Sequence, residues 1–227
     1  PADGDLGAAA RRGRAPDRPL TVSSLLQADT PPLVLASTSA TRIGLLRAAG
    51  LAFETAAPGV DEAAIKESVR ADGLDPSDCA LLLAELKARR ISERLPAALV
   101  IGADQLLVCG ERWFDKPDSR TAAAEQLRAL AGQRHTLVTA VVCLRGGVRL
   151  WQHVAAPRLT MRALTDATID AYLDAAGTAV TQSVGAYQVE GLGIRLFSAI
   201  EGEHAAVLGL PLLPLLGFLR QHGVLHD

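Results

Sequence analysis

The chain has 227 residues with 49% hydrophobic and 21% charged side chains, a composition typical of globular proteins. Its formal net charge of −2 gives no basis for a polyanionic partner, so we expect no nucleic-acid binding. No apolar run reaches the about 18–20 residues of a membrane span, so we expect no membrane partner. The three cysteines, Cys79, Cys109 and Cys143, are isolated and odd in number, which favours a reducing compartment over a disulfide framework. We therefore expect a cytoplasmic location.

Residues 1–30 differ from the rest of the chain in being rich in Ala, Gly, Arg, Asp and Pro, with no sustained hydrophobic period. This composition predicts a flexible N-terminal extension, of which Leu20 to Leu26 is the part suited to dock on the body. The acidic residues among its arginines argue against a transit peptide. We therefore place a single domain at residues 31–227.

Short apolar runs bounded by turn residues predict β-strands in this domain. In chain order they are Leu33 to Ala36, Leu51 to Ala56, Leu99 to Ile101, Leu106 to Val108, His135 to Leu144, Val148 to about Arg162 and Ile194 to Ile200. Helical spacing of apolar residues, with capping residues before and glycine often after, predicts the helices. They are Thr41 to Ala49, Asp61 to Arg70, Pro76 to Arg94, Ser119 to Leu130, Thr165 to Gly177 and Pro211 to His222.

These elements alternate along the chain, which predicts an α/β fold. The turn at 145–147 contains two glycines and joins two strands as an antiparallel hairpin, so we expect the sheet to be mixed. A glycine-rich loop is predicted from Ser183 to Gly193, with Tyr187 and Glu190 inside it.

Asp104 is an unusual residue for its position, because it lies between two apolar runs that are both predicted to be buried. Burying an ionised carboxylate is costly unless a cation or hydrogen-bond donors accompany it. Lys116, just past the next turn, is the nearest candidate partner along the sequence. The pair is interpreted either as an ordinary ion pair or as part of an active site, since strand ends in α/β proteins open onto ligand-binding crevices.

The turn after the first strand has the pattern of an anion site. Ser37 and Ser39 lie between a strand and a helix N-terminus, where free backbone N–H groups and the helix dipole favour a negative charge. Arg42 in the first helical turn opposes the dipole, and a bound phosphate would account for it. Ordinary capping by Ser39 is the alternative interpretation.

Other charged residues have an ordinary and a functional interpretation. Glu62 follows Asp61 at a helix start, where acids usually complement the dipole but can also supply oxygen ligands to magnesium. Lys87 lies beside an apolar helix face, from which most lysines extend to solvent. His135 heads a strand and is interpreted as structural. The sequence has no Walker A motif, no HExxH, no GxSxG and no clustered Cys/His site.

A series of short motifs occurs in the order seen in Maf-type nucleotide pyrophosphatases, which the chain resembles from about Leu33 to His222. The matching residues are Ser37-Thr38-Ser39 with Arg42, Asp61-Glu62, Lys87, Ala103-Asp104-Gln105, Lys116-Pro117, Gly132 with His135, Gly185-Ala186-Tyr187, and Gly209-Leu210-Pro211. This resemblance implies an elongated mixed sheet flanked by helices, with two lobes around a central cleft as in inosine-triphosphatase-like proteins. It also implies a homodimer.

The activity implied by the resemblance is hydrolysis of a nucleoside triphosphate to the monophosphate and pyrophosphate, with Mg²⁺ or Mn²⁺ as cofactor. By the same resemblance Asp104 activates the attacking water and, with Glu62, binds the metal ion. The triphosphate would be held by Ser37, Ser39, Arg42, Lys87 and Lys116. Cations aimed at the phosphates and a carboxylate near the water are what this chemistry requires.

Base choice in the family is tied to three positions, which here hold Thr41, Gln105 and Glu190. Gln105 and Glu190 match the branch that acts on 7-methylguanosine triphosphate, which the resemblance therefore implies as substrate. A carboxylate such as Glu190 can accept from the guanine N1–H and exocyclic amine. Thr41 stands where that branch has Trp, and further departures from the family pattern occur at Ala40, Ile43 and Asp115.

The sequence leaves two alternatives to this function. One is a pyrophosphatase for dTTP, UTP or modified pyrimidine nucleotides, and the other is a nucleotide-binding regulator of septum formation with little turnover. The retained Asp104 favours an enzyme, because a pure binder needs cations but no water-activating carboxylate. Asp115 is interpreted either as partly neutralising Lys116 or as pointing to solvent.

Overall fold

The structure, a computed structural model, describes residues 26–226. Most of the predicted N-terminal extension, including nearly all of Leu20 to Leu26, lies outside the described residues. In the described part, eight strands form one mixed sheet, which confirms the expected α/β class. The strands are β1 Leu33–Leu35, β2 Glu54–Thr55, β3 Leu99–Cys109, β4 Arg112–Phe114, β5 Arg134–Arg145, β6 Val148–Ala155, β7 Arg158–Met161 and β8 Phe197–Glu201.

Seven α-helices and three 3₁₀ turns accompany the sheet in the described range. The helices are α1 Ala40–Ala48, α2 Glu62–Ala71, α3 Pro76–Ser92, α4 Arg120–Leu130, α5 Asp166–Ala176, α6 His204–Val207 and α7 Leu212–Gln221. The 3₁₀ turns are Gly177–Thr181, Val184–Ala186 and Leu192–Leu196. Over residues 26–226, every helix is too short or too polar to cross a membrane.

Two long antiparallel strands, β3 and β5, form the centre of the sheet and pair from Val100 opposite Leu144 to Val108 opposite Thr136. Each long strand has two shorter partners on its outer edge. β1 pairs with the first residues of β3 and β4 with the last, while β6 and β7 share the edge of β5 in the same way. The sheet is therefore elongated, with a first lobe around β1, β2 and β6 and a second around β4, β7 and β8.

The outer edge of β3 is unpaired between its two partners, over residues 102–106, because β1 ends opposite Ile101 and β4 begins opposite Leu107. Side chains on a strand alternate between the two faces of the sheet. Asp104 therefore shares a face with Val100 and Leu106, which pack in the apolar cluster of α3, whereas Gln105 points to the opposite face. This break in the edge is where the sheet opens into a cleft.

Gly102 allows α3 to lie directly against β3. A Cβ atom at this position would collide with the carbonyl oxygen of Ala84 and would lie 2.8 Å from the Cβ of Ala88. Because no side chain separates the helix from the strand, Lys87 on α3 is brought level with Asp104 on β3. The absence of a side chain at Gly102 therefore determines that Lys87 and Asp104 come into contact.

Several element boundaries differ from those predicted by the sequence. The two runs at 99–101 and 106–108 are one continuous strand, because β5 pairs with the polar residues between them as well. The predicted strand from Val148 to Arg162 is two strands, divided at 156–157 where Pro157 has no N–H to donate. The predicted strand at 51–56 is reduced to Glu54–Thr55, and the strand predicted from Ile194 begins only at Phe197, after a 3₁₀ turn.

Substituting Gly102→Ala tests the contact between α3 and β3. We expect the free energy of unfolding to fall by about 1–3 kcal/mol, because the new methyl group overlaps helix backbone that cannot rotate away. Urea unfolding followed by circular dichroism measures the change. Gly217→Ala in α7 is the matched control, since a Cβ there meets nothing within 4 Å, and it should stabilise by about 0.5–1 kcal/mol. A Gly102→Ala variant as stable as wild type would contradict this account of the packing.

Candidate active site

A cleft of about 760 Å³ lies along the unpaired edge of β3. Its walls come from the β1–α1 turn, the first turns of α2, the middle of β3, the β4–α4 turn and the segment at 182–190. Every residue that the sequence marks as a candidate for the site lines this cleft: Ser37, Ser39, Thr41, Arg42, Glu62, Lys87, Asp104, Gln105, Lys116 and Glu190.

Lys87 lies between two carboxylates at the floor of the cleft. Its Nζ atom is 2.5 Å from Asp104 Oδ1 and 2.7 Å from Glu62 Oε1. Asp104 is 4% exposed and Lys87 5%, so this charge pair is shielded from water, whereas Glu62 is half-exposed. Burial raises the pKa of Glu62, but the neighbouring Lys87 outweighs it, so the pKa lies below its ordinary value and the group is ionised at neutral pH.

The expectation that Lys116 is the partner of Asp104 is wrong. Lys116 is exposed at the cleft wall and forms no ion pair with a carboxylate of the described chain, while Lys87 supplies the cation. Distance along the sequence was misleading because Gly102 lets α3 pack against β3. Lys87, 17 positions before Asp104, therefore contacts it, whereas Lys116 in the following turn does not. The interpretation of Lys87 as a lysine extending to solvent is excluded by the same contact.

The second oxygen of Asp104, Oδ2, is buried and forms no hydrogen bond within residues 26–226. Leaving a buried carboxylate oxygen unsatisfied is costly, so such a group in a native protein calls for an explanation. In the same part of the chain no cluster of three or more His, Cys, Asp or Glu residues is present to enclose a metal ion. Asp104 and Glu62 instead fit magnesium as it is bound in nucleotide sites, through one or two carboxylates with waters and phosphates completing the shell.

The predicted anion site is formed by two serines and an arginine. Ser37 Oγ accepts from the backbone N–H of Ser39 at 3.1 Å, and Ser39 Oγ caps α1 by accepting from the N–H of Arg42 at 3.4 Å. Arg42 Nε donates to the carbonyl of Gly209 at 2.7 Å, which holds the guanidinium at the cleft. Burial lowers the pKa of Arg42, and Asp104 and Glu62 oppose the effect. The orientation of Arg42 is thus explained by Gly209, and its terminal nitrogens have no acceptor in the described range.

Hydrogen bonds orient the side chains on the opposite wall. Gln105 Nε2 donates to Thr139 Oγ1 at 2.8 Å and lies 3.0 and 3.1 Å from the carbonyls of Ala206 and Val207. Since all three neighbours are acceptors, the amide nitrogen faces them and Oε1 remains available as an acceptor. Thr41 donates to Glu190 Oε1 at 3.3 Å, across the cleft mouth.

His135 lies behind this wall and does not line the cleft. Its Nε2 is 2.8 Å from the hydroxyl of Tyr187, and burial lowers its pKa to about 4, so the ring is neutral at pH 7. Burial also raises the pKa of Tyr187, which therefore keeps its proton. A neutral His supporting a protonated Tyr agrees with a structural role for His135.

The family model for Maf-like protein matches residues 32–222 of this chain. The chain belongs to the Maf-like family. Among its relatives, a protein of Rhodospirillum rubrum is 54% identical over 200 residues, which cover 88% of this chain and 99% of that protein. A protein of Paramagnetospirillum magneticum is 52% identical over 192 residues, which cover 85% of this chain and 99% of that protein. A protein of Nitrobacter hamburgensis is 53% identical over 195 residues, which cover 86% of this chain and 95% of that protein. All three are named nucleoside triphosphate pyrophosphatase.

Sequence reasoning about this Maf-like chain missed Lys66 and its ion pair with Asp115. Lys66 lines the cleft and is 9% exposed, and its position one helical turn after Glu62 was the signal that could have found it. The carboxylate of Asp115 forms ion pairs with Lys66 at 2.8 Å and with Arg70 at 3.5 Å. Of the two interpretations of Asp115, pairing with Lys116 is not observed within residues 26–226, whereas the side chain is 53% exposed and also links α2 to the β4–α4 turn.

Proposed function

We propose that this protein hydrolyses nucleoside triphosphates to the monophosphate and pyrophosphate with the help of a divalent cation. The observation that carries the proposal is the buried, unpartnered Oδ2 of Asp104 at the floor of a cleft lined by cations. A site that only bound an anion would gain nothing from a buried carboxylate, which repels phosphate. The names of the relatives support the same activity.

In the proposed reaction a water molecule attacks the α-phosphorus. The new P–O bond forms as the bond to the bridging oxygen of the β-phosphate breaks, and pyrophosphate leaves with the electron pair. Asp104 orients the water through Oδ2 and takes up its proton. Lys87 pairs with Oδ1 and so fixes the direction of the carboxylate.

Charge develops on the phosphate oxygens during this step and requires cations at fixed positions. Arg42, held by the Gly209 carbonyl, keeps its terminal N–H groups for this purpose. Lys116 is a second cation at the wall, and Ser37 and Ser39 lie at the N-terminus of α1, where backbone N–H groups favour anions. A Mg²⁺ or Mn²⁺ ion held by Asp104 and Glu62 would neutralise phosphate charge and polarise the attacked phosphorus.

For the base of the substrate we propose 7-methylguanine, as in 7-methylguanosine triphosphate, held on the wall formed by Gln105 and Glu190. That wall presents acceptors, Gln105 Oε1 and the Glu190 carboxylate, and guanine presents two donors on one edge, N1–H and the exocyclic amine. The methylated ring is cationic, which favours a carboxylate neighbour. Thr41 cannot stack on the ring as a Trp would, but its hydrogen bond orients Glu190.

The alternatives fit the geometry less well. Uracil and thymine present a single N3–H between two carbonyl oxygens, which would face the acceptors of this wall. A regulator of septum formation with little turnover would need the cations but not the Asp104 carboxylate. We also expect a homodimer in the cytoplasm, as the family resemblance and the cysteine content predict.

The hydrolase proposal is tested by pyrophosphate release with and without magnesium in wild type and Asp104→Asn. We expect release to require the cation, and the substitution to reduce it by at least about 100-fold, because the water loses its base. Nucleotide binding should persist, since the cations remain. Asp118→Asn in the β4–α4 turn is the control and should behave as wild type. Undiminished release from Asp104→Asn would contradict the role given to this carboxylate.

The base assignment is tested on a panel of 7-methyl-GTP, GTP, UTP and dTTP. Wild type should have its highest kcat/KM with 7-methyl-GTP. Glu190→Gln should lower that value by about tenfold and change the value for UTP much less, because only the cationic purine loses a charged acceptor. Equal loss for all four nucleotides would place Glu190 away from the base.

A further inference from the structure

We propose that Lys66 is a further phosphate-binding cation of this cleft, and that Asp115 masks it until substrate arrives. The inference rests on the proposed function, since it assigns one more residue to the same triphosphate. It goes beyond that function in describing a carboxylate of the chain that competes with substrate for a cation.

Lys66 is placed to reach a ligand. It lies on α2 one turn after Glu62, and both side chains line the cleft. Lys66 is 9% exposed, and its Nζ is 2.8 Å from Asp115 Oδ1, the carboxylate it pairs with in the described structure. A buried ammonium must keep an anionic partner, because desolvation without one is costly. Lys66 can therefore exchange Asp115 only for another anion.

The carboxylate of Asp115 is suited to separate from Lys66 when a phosphate binds. The side chain of Asp115 is 53% exposed, so it recovers hydration at little cost, in contrast to Lys66. It also contacts Arg70 at 3.5 Å, and Arg70 lies over the ring of Trp113 at 4.9 Å. Arg70 can keep the carboxylate paired after Lys66 has turned to a phosphate oxygen, which accepts the same charge-assisted hydrogen bond.

The backbone of the β4–α4 turn stays in place during this exchange. The carbonyl of Asp115 accepts from Gln126 Nε2 at 2.9 Å, and Gln126 Oε1 accepts from the N–H of Gly185 at 3.1 Å. Only the side chains of Lys66 and Asp115 have to move, so Lys116 next to Asp115 keeps its place at the cleft wall. The turn thus supplies one cation to the cleft, Lys116, and controls access to another, Lys66.

This proposal predicts opposite effects from the two halves of one ion pair. Lys66→Gln removes a cation that substrate uses and should weaken binding, whereas Asp115→Asn removes the competitor and should strengthen it. If the pair only fastened α2 to the β4–α4 turn, either substitution would break the same link and both would act in the same direction. Stability does not separate the two cases, because each substitution removes the same ion pair.

The experiment measures binding of magnesium pyrophosphate by calorimetry, and KM for the triphosphate, in the full-length protein. We expect Lys66→Gln to weaken pyrophosphate binding by about tenfold, the loss of one charge-assisted hydrogen bond. Asp115→Asn should tighten it by about threefold, and the double variant should resemble Lys66→Gln. Asp118→Asn, which changes the net charge by the same amount in the same turn, should leave binding unchanged. The shifts should appear in KM, with kcat altered less.

Shifts of the same sign in Lys66→Gln and Asp115→Asn would overturn the proposal and leave a fastening role for the pair. So would a wild-type protein that hydrolyses triphosphates while Lys66→Gln binds pyrophosphate as tightly as wild type. A wild type that neither hydrolyses a triphosphate nor binds pyrophosphate would instead overturn the proposed function, and with it this inference.

Discussion

The cleft depends on one buried ammonium group shared by two carboxylates. Lys87 reaches both Asp104 and Glu62 because Gly102 leaves no side chain between α3 and β3. Removing one partner of a buried ion pair is far more costly than the pair's net contribution to stability, so the three groups are mutually dependent. Lys87 satisfies one oxygen of Asp104 and leaves the other without a partner within residues 26–226, so one ion pair supports both the packing and the catalytic role proposed for Asp104.

The topology of the sheet explains why this carboxylate lies at the floor of a cleft. β1 and β4 leave the edge of β3 unpaired over residues 102–106, and two consecutive residues of this stretch, Asp104 and Gln105, line the cleft. Because side chains alternate along a strand, Asp104 points to the face of α3 and Gln105 to the opposite face. One strand thus contributes to the proposed phosphate chemistry on one side and to the proposed base recognition on the other.

Much of this fold could be predicted from local sequence signals, while the key contacts could not. The hydrophobic period and caps predict α3 and β5 well, and the buried position of Asp104 follows from the apolar runs around it. The partner of Asp104 was assigned wrongly because proximity along the sequence gives no information about contacts between a helix and a strand. Gly102, the residue that allows the contact, is uncharged and was not recognised as important for the site. The pairing of Lys66 with Asp115 was missed for the same reason, since the two residues are 49 positions apart along the chain.

A crystal of the protein grown with Mn²⁺ and a non-hydrolysable triphosphate analogue would test the central claim most directly. The account predicts an anomalous scattering peak beside the Asp104 and Glu62 carboxylates, a water molecule within hydrogen-bond distance of Asp104 Oδ2, and Lys87 still paired with Oδ1. An analogue bound in the cleft with manganese away from Asp104, or with Oδ2 still unpartnered, would contradict the claim that this oxygen is the centre of the chemistry.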